Sequence, residues 1–296
     1  MKERNRYLRT DMAAECCTDP ETASESHGLH LREYRVDGVS VSRLEVTTEE
    51  GEAILSKPMG VYITLDVGRV WLLEDEAFER VAGAVAHELG MLVRSKVEKP
   101  TDILVAGLGN RFITSDAIGP LTVEGLTVTR HIKAMDPSLF EKLRTLPIAA
   151  VAPGVVGQTG IETADLIRSA VEAASPSVLL CVDALAARSV ERLAVTVQLS
   201  DSGIAPGSGI GNHRRAINEE LLGIPVIAIG VPTVVDSSTM VYGMLEKAGV
   251  TDISEGLEAE LQNGRSFFVT LKDADTASGE MARLVARAIH LAFSLP

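Results

Sequence analysis

Apolar positions along this chain fall into short runs separated by amphipathic stretches, and the two patterns alternate. Near-continuous aliphatic runs lie at 103–107, 148–152, 178–182 and 224–230, the pattern of strands buried on both faces. Helical periodicity fills the intervals near 116–126, 161–174 and 236–248. This alternation predicts an α/β fold: a mostly parallel twisted sheet with helices on both faces. Upstream, Tyr34-Arg35-Val36 and 39–44 flank Asp37-Gly38, a pair favoured in two-residue turns, so an N-terminal β-hairpin is expected. A further strand is expected at 61–65. The stretch from Glu74 to Lys96 reads as a long helix, with acids in its first turn and an apolar stripe through Phe78, Val81, Val85, Leu89 and Leu92. Residues 194–199 are expected as an antiparallel strand, 254–265 as a polar loop, 267–269 as an edge strand and 277–293 as a closing helix. Residues 1 to about 30 read as a loosely held arm. The organisation expected is one domain over 12–296, with a hairpin subregion at 30–70 and a chemical core at 100–250.

Two of the aliphatic runs lead to an aspartate. Residues 103–107 pass through Leu108-Gly109-Asn110 and a loop to Asp116, and 178–182 run directly onto Asp183. Open α/β sheets bind their ligands beyond the carboxyl ends of the strands, so both acids are expected in one cleft. Two carboxylates sharing a site cannot both ionise easily, which leaves one protonated and one charged. Such a pair can activate water against an amide. Each acid also has a plain structural reading, Asp116 as a helix N-cap and Asp183 as the ion-pair partner of Arg188. Gly107, Asn110, Gly157, Thr159, Glu162, Arg188 and Asp201 are expected to line the cleft, although Thr159 and Glu162 equally fit a capping box. The glycine-rich segment 201–215 reads as a surface loop or as a rim of the site.

Other motifs fail on inspection. The third glycine of a dinucleotide fingerprint would fall at Phe112, and the second histidine of a zinc-protease helix at Met91. Gly207-Ser208-Gly209 lacks the spacing of a nucleophile elbow, and Cys181 sits inside an apolar run as a small core residue. Composition narrows the partners. The chain's 28 basic and 41 acidic residues give a net charge of −13, which argues against a nucleic-acid surface. No run is long enough to span a bilayer, and 1–6 lacks the apolar core of a secretory signal, so a cytoplasmic location is expected. Three cysteines make no disulfide framework.

Longer stretches carry a family resemblance. Gly107-Leu108-Gly109-Asn110 with 114–120, Thr129-Arg130-His131, 153–163, 183–189, 200–212 and 223–236 are similar to the germination protease of spore-forming bacteria. The similarity runs from the arm to about residue 245 and departs near the C-terminus, where longer members carry an insertion. The resemblance implies an atypical aspartic-type endopeptidase that degrades small acid-soluble spore proteins, acts in the spore core and forms a homotetramer. It places the family's catalytic aspartates on Asp116 and Asp183. It also implies a zymogen with a propeptide at 1–11 that trims itself between Asp11 and Met12; the arm's basic residues Lys2, Arg4, Arg6 and Arg9, opposite in sign to the acidic body, are expected to dock on or near an acidic cleft and restrain activity. No cofactor is implied, although the family has also been classed with metallopeptidases. A divalent ion would then bridge Asp116 and Asp183, with His131 or another histidine as a third ligand. The core further resembles hydrogenase maturation proteases. The remaining alternative is an α/β binding protein whose strand-end acids only cap helices.

Overall fold

In the computed structural model, residues 9–16, 27–207, 214–250, 253–262 and 267–295 are described. Within them one sheet runs through β1 (Leu29–Val36), β2 (Val39–Val46), β3 (Gly60–Asp66), β4 (Ile103–Gly107), β5 (Ile148–Val151), β6 (Val178–Ala187), β7 (Thr196–Ser200), β8 (Val226–Asp236) and β9 (Phe268–Val269). The spatial order is β1-β2-β3-β7-β8-β6-β4-β5, with β9 on β8. β5, β4, β6 and β8 pair in parallel; β4, β5 and β6 are each reached through a helical connection, whereas β8 follows its antiparallel neighbour β7. β1, β2, β3 and β7 extend this core antiparallel. The expected hairpin is therefore no separate unit. Its turn has Asp37 at φ 49° and Gly38 at φ 84°, the paired positive values that a twist-compatible two-residue turn needs.

Side-chain alternation fixes which face does what. On β6, Val178, Leu180 and Val182 point to the face covered by helices Asp75–Lys96 and Ala274–Ala292, where Phe78, Leu89, Leu284 and Ile289 pack against them. Burying each such side chain contributes about 1.5–3 kcal/mol. Leu179 and Cys181 point the other way, against Ile167 and Val171 of helix Thr163–Ala174. Asp183 follows on this second face. The chain leaves β4 towards β5 on one side and returns past it to β6 on the other, which opens a crevice where the connections diverge.

Two expectations are corrected. The segment read as a polar loop at 254–265 contains helix Glu255–Gln262, capped by Ser254 Oγ, which accepts the Leu257 N–H. The arm is not loose where it is described. Met12 is fully buried among Leu185, Ala187, Leu193 and Val235, and Ala13 among Leu29, Leu44, Leu55 and Tyr62. Two apolar side chains seated in preformed pockets of the sheet outweigh the polar character that surrounds them. The arm's basic residues Lys2, Arg4 and Arg6 lie outside the described residues. Among the described residues no helix is long and apolar enough to cross a membrane.

Candidate active site

Strand length decides where the site opens. β4 ends at Gly107, whose register partner is Val182, so from Asp183 onward β6 has no neighbour on that side. The sequence places Asp183 at the end of its own strand, but it lies within β6, opposite Gly230 of β8, and the strand that ends there is β4. A cavity of about 300 Å³ opens at this step, lined by Asp11, Asp116, Asp183, Ala186, Arg214 and Thr233 among others. Beside it, β8 bulges: Leu185 pairs with Pro232 and Ala186 with Val234, which leaves Thr233 over. The Thr233 hydroxyl donates to the Ser115 carbonyl and so fastens the Asp116 turn to β8.

Asp116 ends the one-turn helix Thr114–Asp116, and its Oδ2 accepts the Asn110 N–H at 2.8 Å. It does not cap the following helix Ile118–Glu124, where Ala117 holds the cap position. Asp183 is 5% exposed, and its Oδ1 accepts the Ala184 N–H at 2.9 Å. It does not pair with Arg188, whose guanidinium is on Glu246. Neither plain structural role is therefore found.

The two carboxyls differ in surroundings. Burial holds Asp183 well above the usual carboxylate range, and the charges of Asp116 and Asp11 push it further. Burial also raises Asp116, but the Asn110 N–H and the Arg214 guanidinium oppose that rise. Asp183 is thus the harder of the two to ionise, and Asp116 the easier. That is the division of labour an acid/base pair requires.

The other expected residues take supporting places. Gly107 is buried at the end of β4. Asn110 holds the loop: its Oδ1 accepts from Phe112 N–H and Gln158 Nε2. Gly157 and Thr159 lie in the short helix Val156–Thr159, and Glu162 precedes the next helix without capping it, so the capping-box reading is not met. Arg188 points to Glu246, and Asp201 is buried against Lys96 and the Val61 N–H. None of these residues lines the cavity. His131 is exposed on helix Arg130–Met135 and does not line it either. Cys181 is fully buried, and burial pushes its thiol up, as an inert core residue requires.

Residues 9–16 are laid along this side of the sheet by specific contacts. The Asp11 N–H donates to the Ala186 carbonyl at 2.8 Å, and Asp11 Oδ2 accepts the Ala186 N–H at 2.9 Å. Glu15 accepts from the Arg188 and Ser189 N–H groups and pairs with Arg192. Gln198 of β7 reaches the same segment through both ends of its amide. Arg214 falls in the segment 201–215 read as a surface loop or a rim of the site, and it lines the cavity, whereas Gln198 was invisible as a site residue in the sequence. The one signal for Gln198 was a polar residue in the run Val197-Gln198-Leu199.

Residues 8–249 match the family model described as germination protease. The chain belongs to the germination protease family. A germination protease of Clostridium acetobutylicum is 38% identical over 275 residues, which cover 91% of this chain and 81% of the relative. One of Caldanaerobacter subterraneus is 37% identical over 96% of this chain and 94% of its own. One of Bacillus pumilus is 42% identical over 79% of this chain and 65% of its own. Among solved structures, the [NiFe] hydrogenase maturation protease HycI of Thermococcus kodakarensis aligns with 67% of this chain and 97% of its own, at 15% identity and a TM-score of 0.36. Asp11, Asp116, Asp183 and Arg214 all fall inside the germination protease match, whereas the closing helix Ala274–Ala292 falls beyond it.

Proposed function

We propose that this chain is an endopeptidase that uses Asp116 and Asp183 as an acid/base pair, degrades small acid-soluble spore proteins in the spore core, and first cuts itself between Asp11 and Met12. The observation that carries this reading is that both desolvated carboxyls and Asp11 line one cavity. Ionised Asp116 takes a proton from water, and the resulting hydroxide attacks the scissile carbonyl. Protonated Asp183 donates to the carbonyl oxygen, and the proton held by Asp116 passes to the leaving amine as the C–N bond breaks. The net charge of −13 argues against nucleic acid as a direct partner. In the proposed homotetramer, the β1–β2 hairpin is the surface assigned to contact between copies, β1 being one of the two edge strands of the main path of the sheet, with β5 at the other end.

Activity in this scheme follows a bell in pH. On the acid side it is lost as Asp116 takes up its proton, and on the alkaline side as Asp183 gives one up. Both carboxyls are raised, so both limbs lie above the usual carboxylate range. A pH–rate profile of peptide cleavage checks this, and a flat profile across neutral pH overturns it.

The metal-dependent alternative would place a divalent ion between Asp116 and Asp183, with a histidine as third ligand. His131 does not line the cavity, and the described residues hold no cluster of three His, Cys, Asp or Glu side chains able to hold an ion. One experiment addresses both readings: mass spectrometry of self-processing in the wild type, Asp116→Asn and Asp183→Asn, each with and without chelator. A new N-terminus at Met12 is expected in the wild type alone, with chelator present or absent. Wild-type processing in both variants removes the acid pair, and chelator-sensitive processing restores the metal.

A further inference from the structure

The peptide group proposed for cleavage is held by a side chain on neither carboxylate strand. Gln198 Nε2 donates to the Asp11 carbonyl oxygen at 3.2 Å, and Gln198 Oε1 accepts the Ala13 N–H at 2.7 Å. The Asp11 carbonyl is the one that hydrolysis at Asp11–Met12 would attack. Gln198 therefore spans the scissile peptide, with its donor on the carbonyl to be polarised and its acceptor one residue beyond the leaving amine.

Sheet register puts this amide opposite the acid. Asp183 pairs with Gly230 across β6 and β8, and Gly230 pairs with Gln198 across β8 and β7. The three lie in one transverse row, so Asp183 and Gln198 project from the same face, roughly 9–10 Å apart at the backbone. Between them Gly230 keeps the floor low. Leu185 lies so close over it that an added Cβ would come within 2.2 Å of the leucine Cδ1. Met12 packs on that same leucine. Gln198 is 7% exposed, so its donor is desolvated and preorganised.

We infer that Gln198 is a catalytic residue, the amide half of an oxyanion site whose other half is Asp183. This rests on the proposed cut at Asp11–Met12. When hydroxide adds to the Asp11 carbonyl carbon, the carbonyl π electrons move onto oxygen, and the Nε2–H bond strengthens on that developing charge. When the tetrahedral species collapses, the C–N bond breaks, a carboxyl forms on Asp11 and the amine of Met12 leaves with the proton from Asp116. Glutamine supplies the donor without titrating. A carboxylate in its place would repel the developing oxyanion. The run from Thr196 to Ser200 is otherwise suited to a buried strand, and an apolar residue at 198 would serve the core better. A desolvated amide there answers to the peptide lying over it.

The test measures self-processing of the full chain in the wild type, Gln198→Glu and Gln198→Met across pH. Removing one oxyanion donor costs about 10²–10³-fold in turnover, and both variants should slow by that order. Glutamate keeps the acceptor for the Ala13 N–H and regains a donor when protonated. The ratio of its rate to wild type should therefore climb as pH falls, while the methionine ratio stays flat. A merely structural glutamine would show the same pH dependence in the melting temperature of Gln198→Glu, so a rate ratio that climbs while thermal melts of the unprocessed chain stay parallel to wild type separates the two roles. Equal rates in all three proteins, or two flat ratios, overturn the inference and leave the proposed cut standing. If the wild type yields no Met12 terminus, the proposed cut itself fails and this inference with it. Should Gln198→Glu not fold, Gln198→Met has similar volume, and wild-type speed in that variant overturns the inference alone.

Discussion

Asp116→Asn and Asp183→Asn should each lower peptide cleavage by about 10²–10⁴-fold, the span that a positioned general acid or base contributes. The double substitution should be little worse than the more damaging single one, because the two groups act on one transition state. Stability separates this loss from unfolding. Asp183 has its folded-state carboxyl raised, whereas the unfolded chain titrates near the ordinary value of about 4. Between those values the folded protein binds more protons than the unfolded one, so its stability falls as pH rises through that window. Asparagine cannot ionise and escapes the fall. Asp183→Asn should therefore melt higher than wild type at neutral pH and converge with it in strong acid. Thermal melts at several pH values, run beside a peptide assay, check both halves. An Asp183→Asn protein that cleaves at wild-type rate, or that is less stable than wild type at neutral pH, contradicts the assignment of Asp183 as the protonated acid.

How much of this site the sequence could carry depends on the range over which each feature is specified. Asp116 and Asp183 were legible because their approach is local: an aliphatic run names a buried strand, and chemistry gathers beyond strand ends. The hairpin turn and the 22-residue helix Asp75–Lys96 were legible for the same reason, since turn chemistry and helical periodicity are written in neighbouring residues. Relative strand length was not. Asp183 borders the cavity because β4 stops one register step before it, a fact shared by two segments far apart in the chain. Gln198 depends on register across β6, β8 and β7, and Arg214 arrives from a separate loop. The expected lining of the cleft failed to reach the cavity through local competition. Arg188 had a nearer acid in Glu246, and Asp201 had Lys96. Met12 and Ala13 looked like part of a polar arm because the pockets that bury them come from six different strands and helices and a loop residue, Leu193.

Gly109→Ala should be the most damaging single methyl in the protein's site. Gly109 sits at φ +106°, where an L side chain is strained, and its Cβ would fall 2.1 Å from the Asp116 carbonyl oxygen and 2.9 Å from Oδ1. Relief requires the backbone to move, since the nearest obstacle is a carbonyl rather than a flexible side-chain tip. Strain of about 1–3 kcal/mol and overpacking of similar size together reach about 2–6 kcal/mol. Against a typical total of about 5–15 kcal/mol that is a large fraction. The groups that must yield are the Asp116 backbone and the Asn110–Asp116 hydrogen bond, which hold the proposed base in place. A displacement near 1 Å at a reacting group costs on the order of 10²-fold, so activity should drop at least that far in whatever fraction remains folded. Gly157→Ala is the contrast. Its added Cβ meets nothing within 4 Å, and its position in the short helix Val156–Thr159 accepts alanine, so it should be neutral or gain about 0.4–1 kcal/mol. Urea unfolding midpoints and peptide cleavage rates on the two variants make the comparison. Gly109→Ala at wild-type rate would mean that the close approach of this turn to Asp116 has no bearing on catalysis.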